Sequence, residues 1–373
     1  MTHRDLISIR DLSNTAILGL FELADEFATQ SRRRLDLAHD AIMATLFYEP
    51  STRTRMSFES AMLRLGGQVI SMADPSTSSA AKGETLADTI RIVEGYADLI
   101  TLRHPREGAA QMCADLVQVP VINAGDGARE HPTQTLLDLY TIFREKGRLR
   151  GITVALCGDL KHGRTVHSLV QGLARFGARI LCVAPKGLEL PEAFSRLLST
   201  QYGSEIEHYT TLDIAPLAEC DVLYVTRIQQ ERFADASEFA RVRSTYQVSR
   251  QTLERVREDA IVLHPLPRVD ELDFSLDGDP RAAYFRQASY GVPVRMALIA
   301  ALLHLREVNE FGLTTPEGDT WHLLADDAPF LCANARCITH VEPGITACAL
   351  TRTDAARRCA LCDAPEEVAC PAS

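Results

Sequence analysis

Ser51, Thr52, Arg53, Thr54 and Arg55 form a row of hydroxyls and guanidinium groups, a chemistry suited to holding a phosphate. The residues on either side say where that row must sit. Upstream, Ala41-Ile42-Met43-Ala44-Thr45-Leu46-Phe47 is apolar and strand-like; downstream, Phe58, Ala61, Met62 and Leu65 recur at helical spacing until Gly66-Gly67 ends the element. Ser51 to Thr54 therefore fall at a helix N-terminus, where unpaired N–H groups and the positive end of the helix dipole converge. Arg53 and Arg55 add fixed charge with donors shaped for phosphate oxygens. Taken alone, the stretch also reads as an ordinary N-cap followed by solvated arginines.

A second group with chemical character lies near the other end. Cys332-x4-Cys337 is followed, after 21 residues, by Cys359-x2-Cys362, the form of a closed four-thiolate zinc site built from two knuckles. The expected cofactor is one structural Zn2+ per chain. A tail this short has little core of its own, so metal binding supplies much of its folding free energy. Cys348 and Cys370 fall outside the pattern.

The elements that position these groups alternate. In residues 1–145 the phosphate row is joined by short apolar strands at 68–70, 98–102 and 119–123, interleaved with amphipathic helices. Strands alternating with helices predict a parallel sheet covered on both faces. A turn at 146–151 opens a second such unit with strands at 152–157, 179–183, 221–225 and 260–264 and helices near 164–176, 191–201 and 249–258. The fold class is thus α/β, two doubly wound parallel-sheet domains (1–145 and 146–287) plus a small zinc-binding β domain after a linker (308–373). Residues 288–307 form a further helix. Gly158 and Gly163 lie five apart with Lys161 and His162 between them, which is not the glycine spacing of a dinucleotide fold.

A chain of 373 residues with 46% hydrophobic and 24% charged residues can bury two or three substantial cores. A net charge of -11 argues against nucleic acid and acidic membranes as partners. The tail has no basic footprint for nucleic acid either, since acidic residues outnumber basic ones nine to four over 311–373. No run reaches the length of a membrane span and the N-terminus does not read as a signal peptide. A cytoplasmic protein is expected, with its ten cysteines as free thiols or metal ligands rather than disulfides.

Beyond the phosphate row come Lys82-Gly83-Glu84-Thr85, Arg103-His104-Pro105, His131-Pro132-Thr133-Gln134-Thr135, Gly158-Asp159-Leu160-Lys161-His162-Gly163-Arg164-Thr165, Thr226-Arg227-Ile228-Gln229 and His264-Pro265-Leu266-Pro267-Arg268. In this order, to about Leu305, the motifs resemble the catalytic chain of aspartate carbamoyltransferase. The resemblance implies substrates carbamoyl phosphate and L-aspartate, with carbamoyl aspartate and phosphate as products. It places Ser51, Thr52, Arg53 and Thr54 on the phosphate, with Thr54, Arg103 and His131 near the carbonyl oxygen; His131 also reads as a general base or a core histidine. It puts Gln134 and the Leu266 carbonyl on the carbamoyl NH2, and Arg164, Arg227 and Gln229, bordered by Leu266 and Pro267, on the aspartate carboxylates. Ser78 and Lys82 lie on a small-residue loop that in the family reaches a neighbouring subunit's site, which implies a homotrimer with shared active sites. The same resemblance implies that helix 288–307 packs back on the first domain.

Cys337-Ile338-Thr339-His340-Val341-Glu342-Pro343 and the cysteine spacing resemble the zinc domain of the regulatory chain of aspartate carbamoyltransferase. The chain then reads as a fusion of catalytic chain and zinc module, without the nucleotide-binding domain of that regulatory chain, so no response to CTP or ATP is expected. The module is expected either to tie trimers into a larger assembly or to pack on its own catalytic domain. Two other readings stand beside this one: a transcarbamoylase for another amine such as ornithine, disfavoured by Pro265 and by Arg227, and an inactive structural partner of an active homologue.

Overall fold

The structure is a computed structural model and describes residues 5–30, 34–74, 76, 79–228, 235, 239, 245–311, 322–323, 332–345, 349–351 and 357–364. The chain divides into two compact units, 1–133 with 292–373, and 134–291.

In the first unit, α1 (Asn14–Gln30) precedes β1 (Ile42–Phe47), α2 (Thr52–Leu65), β2 (Gln68–Met72), α3 (Leu86–Glu94), β3 (Leu99–His104), α4 (Ala109–Leu116) and β4 (Val121–Asp126). The four strands are parallel, in the order β2-β1-β3-β4. β1 is buried on both faces from Met43 to Phe47, as a central strand covered by helices must be. The chain order reverses between β1 and β3, so the carboxyl ends of those strands border the crevice where such sheets hold ligands. Phe47 pairs with Arg103 at that end, and the Tyr48 N–H donates to the Arg103 carbonyl at 2.8 Å.

The second unit holds α5 (Pro132–Lys146, of which residues from Gln134 belong here), β5 (Thr153–Cys157), α6 (Arg164–Arg175), β6 (Arg179–Val183), α7 (Glu192–Tyr202), β7 (Ile206–Tyr209), β8 (Val222–Val225), α8 (Arg250–Leu253) and β9 (Ile261–Leu263). Its parallel sheet runs β7-β6-β5-β8-β9, with the reversal between β5 and β8. Its core gathers Leu181, Val183, Leu217, Leu223, Val262 and Tyr284.

Several boundaries differ from expectation. The compact division falls inside α5, at Thr133/Gln134, and the later part of α5 bonds within the second unit. Asp138 on α5 accepts from Tyr224 and Gln287 at 2.8 and 2.6 Å, and Lys146 reaches Asp259 at 2.9 Å. The helix expected over 249–258 is a single turn, α8; beyond it the Arg255 N–H bonds only three residues back, to the Thr252 carbonyl, and the α-helical ladder does not continue. The helix expected over 288–307 is α9 (Tyr284–Leu302), with Pro293 inside it. Strand β7 was not anticipated; it is an edge strand with no fully buried residue, and so lacks an apolar signature.

The tail contributes β10 (His322–Leu323), β11 (Ala349–Thr351) and β12 (Arg357–Cys359), an antiparallel three-stranded sheet. Its cysteines share one buried cluster with the first unit: Cys332, Cys337, Ile338, Cys359, Leu361 and Cys362 pack with Ile90, Ala109, Ala110, Met112 and Cys113. The metal module is thereby an extension of the first unit's core within the same chain.

Hydrogen bonds fix that seam. The Glu107 N–H donates to the Arg336 carbonyl at 3.1 Å and the Ile338 N–H returns to the Glu107 carbonyl at 2.9 Å. The Glu107 carboxylate accepts from Asn334 at 2.7 Å and pairs with Arg336 at 2.8 Å. Glu342 accepts the Ala87 N–H at 2.6 Å, placing a carboxylate on the first turn of α3, where the helix dipole favours it. Gly108 sits at φ +83, and an added Cβ would lie 2.8 Å from the Leu361 carbonyl carbon and oxygen. Gly108→Ala combines left-handed backbone strain with that clash and is expected to cost at least about 2 kcal/mol; an unchanged thermal midpoint would show that the seam is not this close.

Candidate active site and metal centre

The phosphate row is where the sequence puts it, on the turn from β1 into α2. Ser51 is the N-cap in extended backbone (φ -157, ψ 96) and makes no side-chain cap hydrogen bond. The first-turn N–H groups and its own hydroxyl are therefore not used up by the usual cap. Thr54 is buried, while Thr52 and Arg53 are exposed.

The two arginines separate. Arg55 reaches Glu59 and the Ser71 hydroxyl, each at 3.4 Å, and Glu59 also takes hydrogen bonds from Ser71 at 2.8 Å and Thr45 at 3.2 Å. These contacts make it a strut between α2 and β2. Arg53 has no acid beside it among the described residues; partial burial lowers its pKa, with no neighbouring charge acting the other way. A cation with no acid beside it on the first turn of a helix is suited to an anion.

Arg103 is the last residue but one of β3, and its Nε donates to Glu49 at 3.2 Å. His131 is buried just before α5, with Nδ1 3.4 Å from the Thr133 hydroxyl. Both groups thus sit on the same unit as the α2 turn. Lys82 ends a 3-10 turn, Ser79–Lys82, exposed and without an ion-pair partner among the described residues. Ser78 and Gln229 lie outside the described residues.

His104, next to Arg103, was not singled out by sequence. Burial takes its pKa from the ordinary 6.5 down to about 4, and Nδ1 accepts the Arg106 N–H at 3.1 Å, a bond only the neutral ring can make; the ring packs edge-on against Tyr48 at 5.0 Å. The folded chain therefore holds this ring neutral while the unfolded chain protonates it near 6.5. Its contribution is complete above pH 6.5 and is lost as pH falls towards 4, on the order of 3 kcal/mol. Urea midpoints should fall over that window, less steeply in His104→Gln, and parallel slopes for the two proteins would refute the assignment.

In the second unit, Arg164 opens α6 and Arg227 follows β8, exposed. β5 and β8 are neighbours, with Cys157 opposite Val225 and the Thr226 N–H on the Cys157 carbonyl at 2.7 Å, so both arginines leave the carboxyl end of the sheet at its switch point. The glycine loop joining β5 to α6 is filled by its own acid. Asp159 accepts the Lys161 and His162 N–H groups at 3.2 and 3.0 Å, which leaves those donors unavailable to a dinucleotide phosphate.

Gln134 donates from Nε2 to Asp138 at 2.9 Å, which orients its carbonyl oxygen as an acceptor. Leu266 holds φ +52, uncommon for a branched residue, and precedes a cis bond to Pro267. Two residues given no role at the sequence level hold this turn. The Leu266 N–H donates to His264 Nδ1 at 2.7 Å, and His264 Nε2 meets Glu271 at 2.8 Å. His264 before Pro265 was visible in sequence; Glu271 carried no signal.

The four cysteines form a centre able to bind a metal. All are buried, and their sulfurs lie within 4.8 Å of one another, with 3.4 Å between Cys332 and Cys362 and 4.0 Å between Cys337 and Cys359. A tetrahedral ion at about 2.3 Å from each sulfur needs edges of about 3.8 Å, so the set fits. The eight described cysteines are all free and buried. Among the described residues no helix is long and apolar enough to cross a membrane.

Comparisons with known proteins agree with this geometry. Family models for the aspartate/ornithine carbamoyltransferase carbamoyl-P binding domain and Asp/Orn binding domain match residues 4–144 and 150–302. The chain is 52% identical over 302 residues to the aspartate carbamoyltransferase catalytic subunit of Archaeoglobus fulgidus (80% of this chain, 99% of that one). Against that of Thermoplasma acidophilum it is 51% identical over 305 residues (81% and 99%). Among solved structures, the catalytic subunit of M. jannaschii aspartate transcarbamoylase superposes with a TM-score of 0.76 at 50% identity, covering 82% of this chain and 98% of that one. The Trypanosoma cruzi enzyme in complex with N-(phosphonacetyl)-L-aspartic acid gives 0.75 at 42% identity, covering 80% and 95%. The chain belongs to the aspartate/ornithine carbamoyltransferase family, and over these residues it is an aspartate carbamoyltransferase catalytic chain.

Proposed function

We propose that this chain transfers the carbamoyl group of carbamoyl phosphate to the amino group of L-aspartate, yielding N-carbamoyl-L-aspartate and phosphate at an early step of de novo pyrimidine biosynthesis. The observation that carries the site assignment is the uncompensated Arg53 on the first turn of α2, whose N-cap serine makes no cap bond.

The amine lone pair attacks the carbonyl carbon. A C–N bond forms, the C–O bond to phosphate breaks with its electron pair leaving on the phosphate oxygen, and the proton lost by nitrogen ends on the departing phosphate. No protein nucleophile is needed, because the mixed anhydride already carries a good leaving group; the work is positioning and charge stabilisation. Ser51, Thr52, Arg53 and Thr54 hold the phosphate, and the α2 dipole stabilises it as it departs. Thr54, Arg103 and His131 donate to the carbonyl oxygen as negative charge develops there. Gln134, through its carbonyl oxygen, and the Leu266 carbonyl accept from the carbamoyl NH2. Arg164, Arg227 and Gln229, bordered by Leu266 and Pro267, take the two carboxylates, for which guanidinium forks are well shaped. Ser78 and Lys82 act in a neighbouring subunit's site, which makes the working unit a homotrimer.

The four-cysteine centre holds one structural zinc ion, and the chain is a fusion of catalytic chain and zinc module. The module's bonds to Glu107, Ala87 and the core of its own chain support a brace acting within one chain. Chelation is accordingly expected to lower the melting temperature and leave the sedimenting species at trimer size; a drop from a larger assembly to trimers would instead assign the module to bridging. Free, buried thiols are consistent with a cytoplasmic setting.

The test is direct. Purified chain given carbamoyl phosphate should form carbamoyl aspartate with aspartate, should form no citrulline with ornithine, and should hold about one zinc per chain. Turnover with ornithine, or none with aspartate, would refute the reading.

A further inference from the structure

The two residues assigned above to the carbamoyl NH2, Gln134 and Leu266, stand at opposite ends of one hydrogen-bond chain that lies wholly within the second unit. Gln134 and Asp138 are four residues apart on α5, and Gln134 Nε2 donates to Asp138 Oδ1 at 2.9 Å. The same oxygen accepts from Nε2 of Gln287, near the start of α9, at 2.6 Å, while the Tyr224 hydroxyl donates to Oδ2 at 2.8 Å. Gln287 Oε1 accepts the His264 N–H at 2.9 Å, and His264 Nδ1 accepts the Leu266 N–H at 2.7 Å. Asp138, Tyr224, His264 and Gln287 are each no more than 2% exposed.

Every link has one possible direction. A carboxylate only accepts, so both amides turn their NH2 groups to Asp138 and their oxygens away from it. For Gln287 that oxygen goes to the His264 N–H; for Gln134 it is the acceptor of the carbamoyl NH2. Because Leu266 supplies a donor, His264 Nδ1 is the unprotonated ring nitrogen, and Nε2–H is met by Glu271 at 2.8 Å. Glu271 also accepts the Val269 and Asp270 N–H groups at 3.2 and 3.1 Å, which ties it to the same turn. A leucine at φ +52 persists only where its surroundings hold it, and a buried polar network with every member satisfied is rigid enough to do so.

We propose that Asp138 and Gln287 are positioning residues that set both acceptors of the carbamoyl NH2 at once, Gln134 Oε1 directly and the Leu266 carbonyl through His264, and so make the site selective for a carbamoyl over an acetyl donor. The proposal rests on the assignment of Gln134 and Leu266 given above. Asp138 and Gln287 act through the residues that meet the substrate. An acyl phosphate with CH3 in place of NH2 leaves the two acceptors unpaired, which is how polar sites reject analogues that lack a donor.

The probe is acetyl phosphate, which keeps the phosphate and the carbonyl oxygen and exchanges NH2 for CH3. For the full-length wild type, Gln287→Met, Asp138→Ala and Gln134→Ala, kcat/KM for carbamoyl phosphate is measured at fixed, subsaturating aspartate, together with the Ki of acetyl phosphate as a competitor. Misplacing a positioned group costs on the order of 10- to 100-fold, so Gln287→Met and Asp138→Ala should lose kcat/KM by that factor while Ki stays within about threefold of wild type. Gln134→Ala should show the same split. Wild-type kcat/KM in both positioning variants would overturn the proposal, as would a Ki that rises in step with the loss, the mark of general damage to the site. Wild-type kcat/KM in Gln134→Ala would remove the assignment of Gln134 and this inference with it, whereas a split in Gln134→Ala and none in Gln287→Met refutes the inference alone. Should Asp138→Ala fail to fold, Gln287→Met, which exchanges one unbranched side chain for another, decides between the same outcomes.

Discussion

Arg53→Ala is expected to lower kcat/KM for carbamoyl phosphate by roughly two to three orders of magnitude, the scale seen when one preorganised donor to a developing anion is deleted. The fold should survive, because the side chain is exposed at a helix start. Arg55→Ala, two residues on, is the informative contrast. Its guanidinium is engaged by Glu59 and Ser71, so its loss should cost stability modestly and leave kcat/KM within a few-fold of wild type. Steady-state kinetics on both variants check the pair. Equal losses would mean that position along the turn does not matter, and the assignment of the phosphate to the α2 N-terminus would then fail.

The second large effect concerns the metal. Structural zinc contributes on the order of 10 kcal/mol to domains of this kind, which is comparable to the whole stability of an ordinary domain. Cys337→Ser removes one of the four buried ligands and leaves a cluster unable to close around an ion. The segment 332–364 should then detach and become open to protease. Its departure uncovers Ala109, Ala110, Met112 and Cys113, against which it packs, so the first unit should melt lower and bind a hydrophobic dye. Calorimetry with limited proteolysis and mass measurement reads both consequences. A variant with the wild-type melting temperature and cleavage pattern would show that the module is held by its contacts alone.

How much of this was legible in sequence depends on how far apart the interacting residues lie. The α2 turn was legible because strand, cap and helix are contiguous: an apolar run, then Ser51, then Phe58, Ala61, Met62 and Leu65 at helical spacing. The four cysteines were legible because metal geometry dictates their spacing. Spacing could not separate Arg53 from Arg55, since only the fold brings Ser71 of β2 beside the latter. The docking of the tail was equally hidden: Glu107 meets Asn334 and Ala87 meets Glu342 across more than two hundred residues. The hold of His264 and Glu271 on the Leu266 turn is closer in sequence, but it depends on a left-handed leucine that no residue preference announces. An element was missed where local signal was weak, as at the edge strand β7, which has no fully buried residue.

A crystal of the chain soaked with the bisubstrate phosphonate N-(phosphonacetyl)-L-aspartate tests the central claim most directly. The phosphonate should lie at the first turn of α2, within hydrogen-bond reach of Ser51 to Thr54 and the Arg53 guanidinium, with the carboxylates on Arg164 and Arg227. Ligand density elsewhere, with the α2 turn bare, would contradict the account.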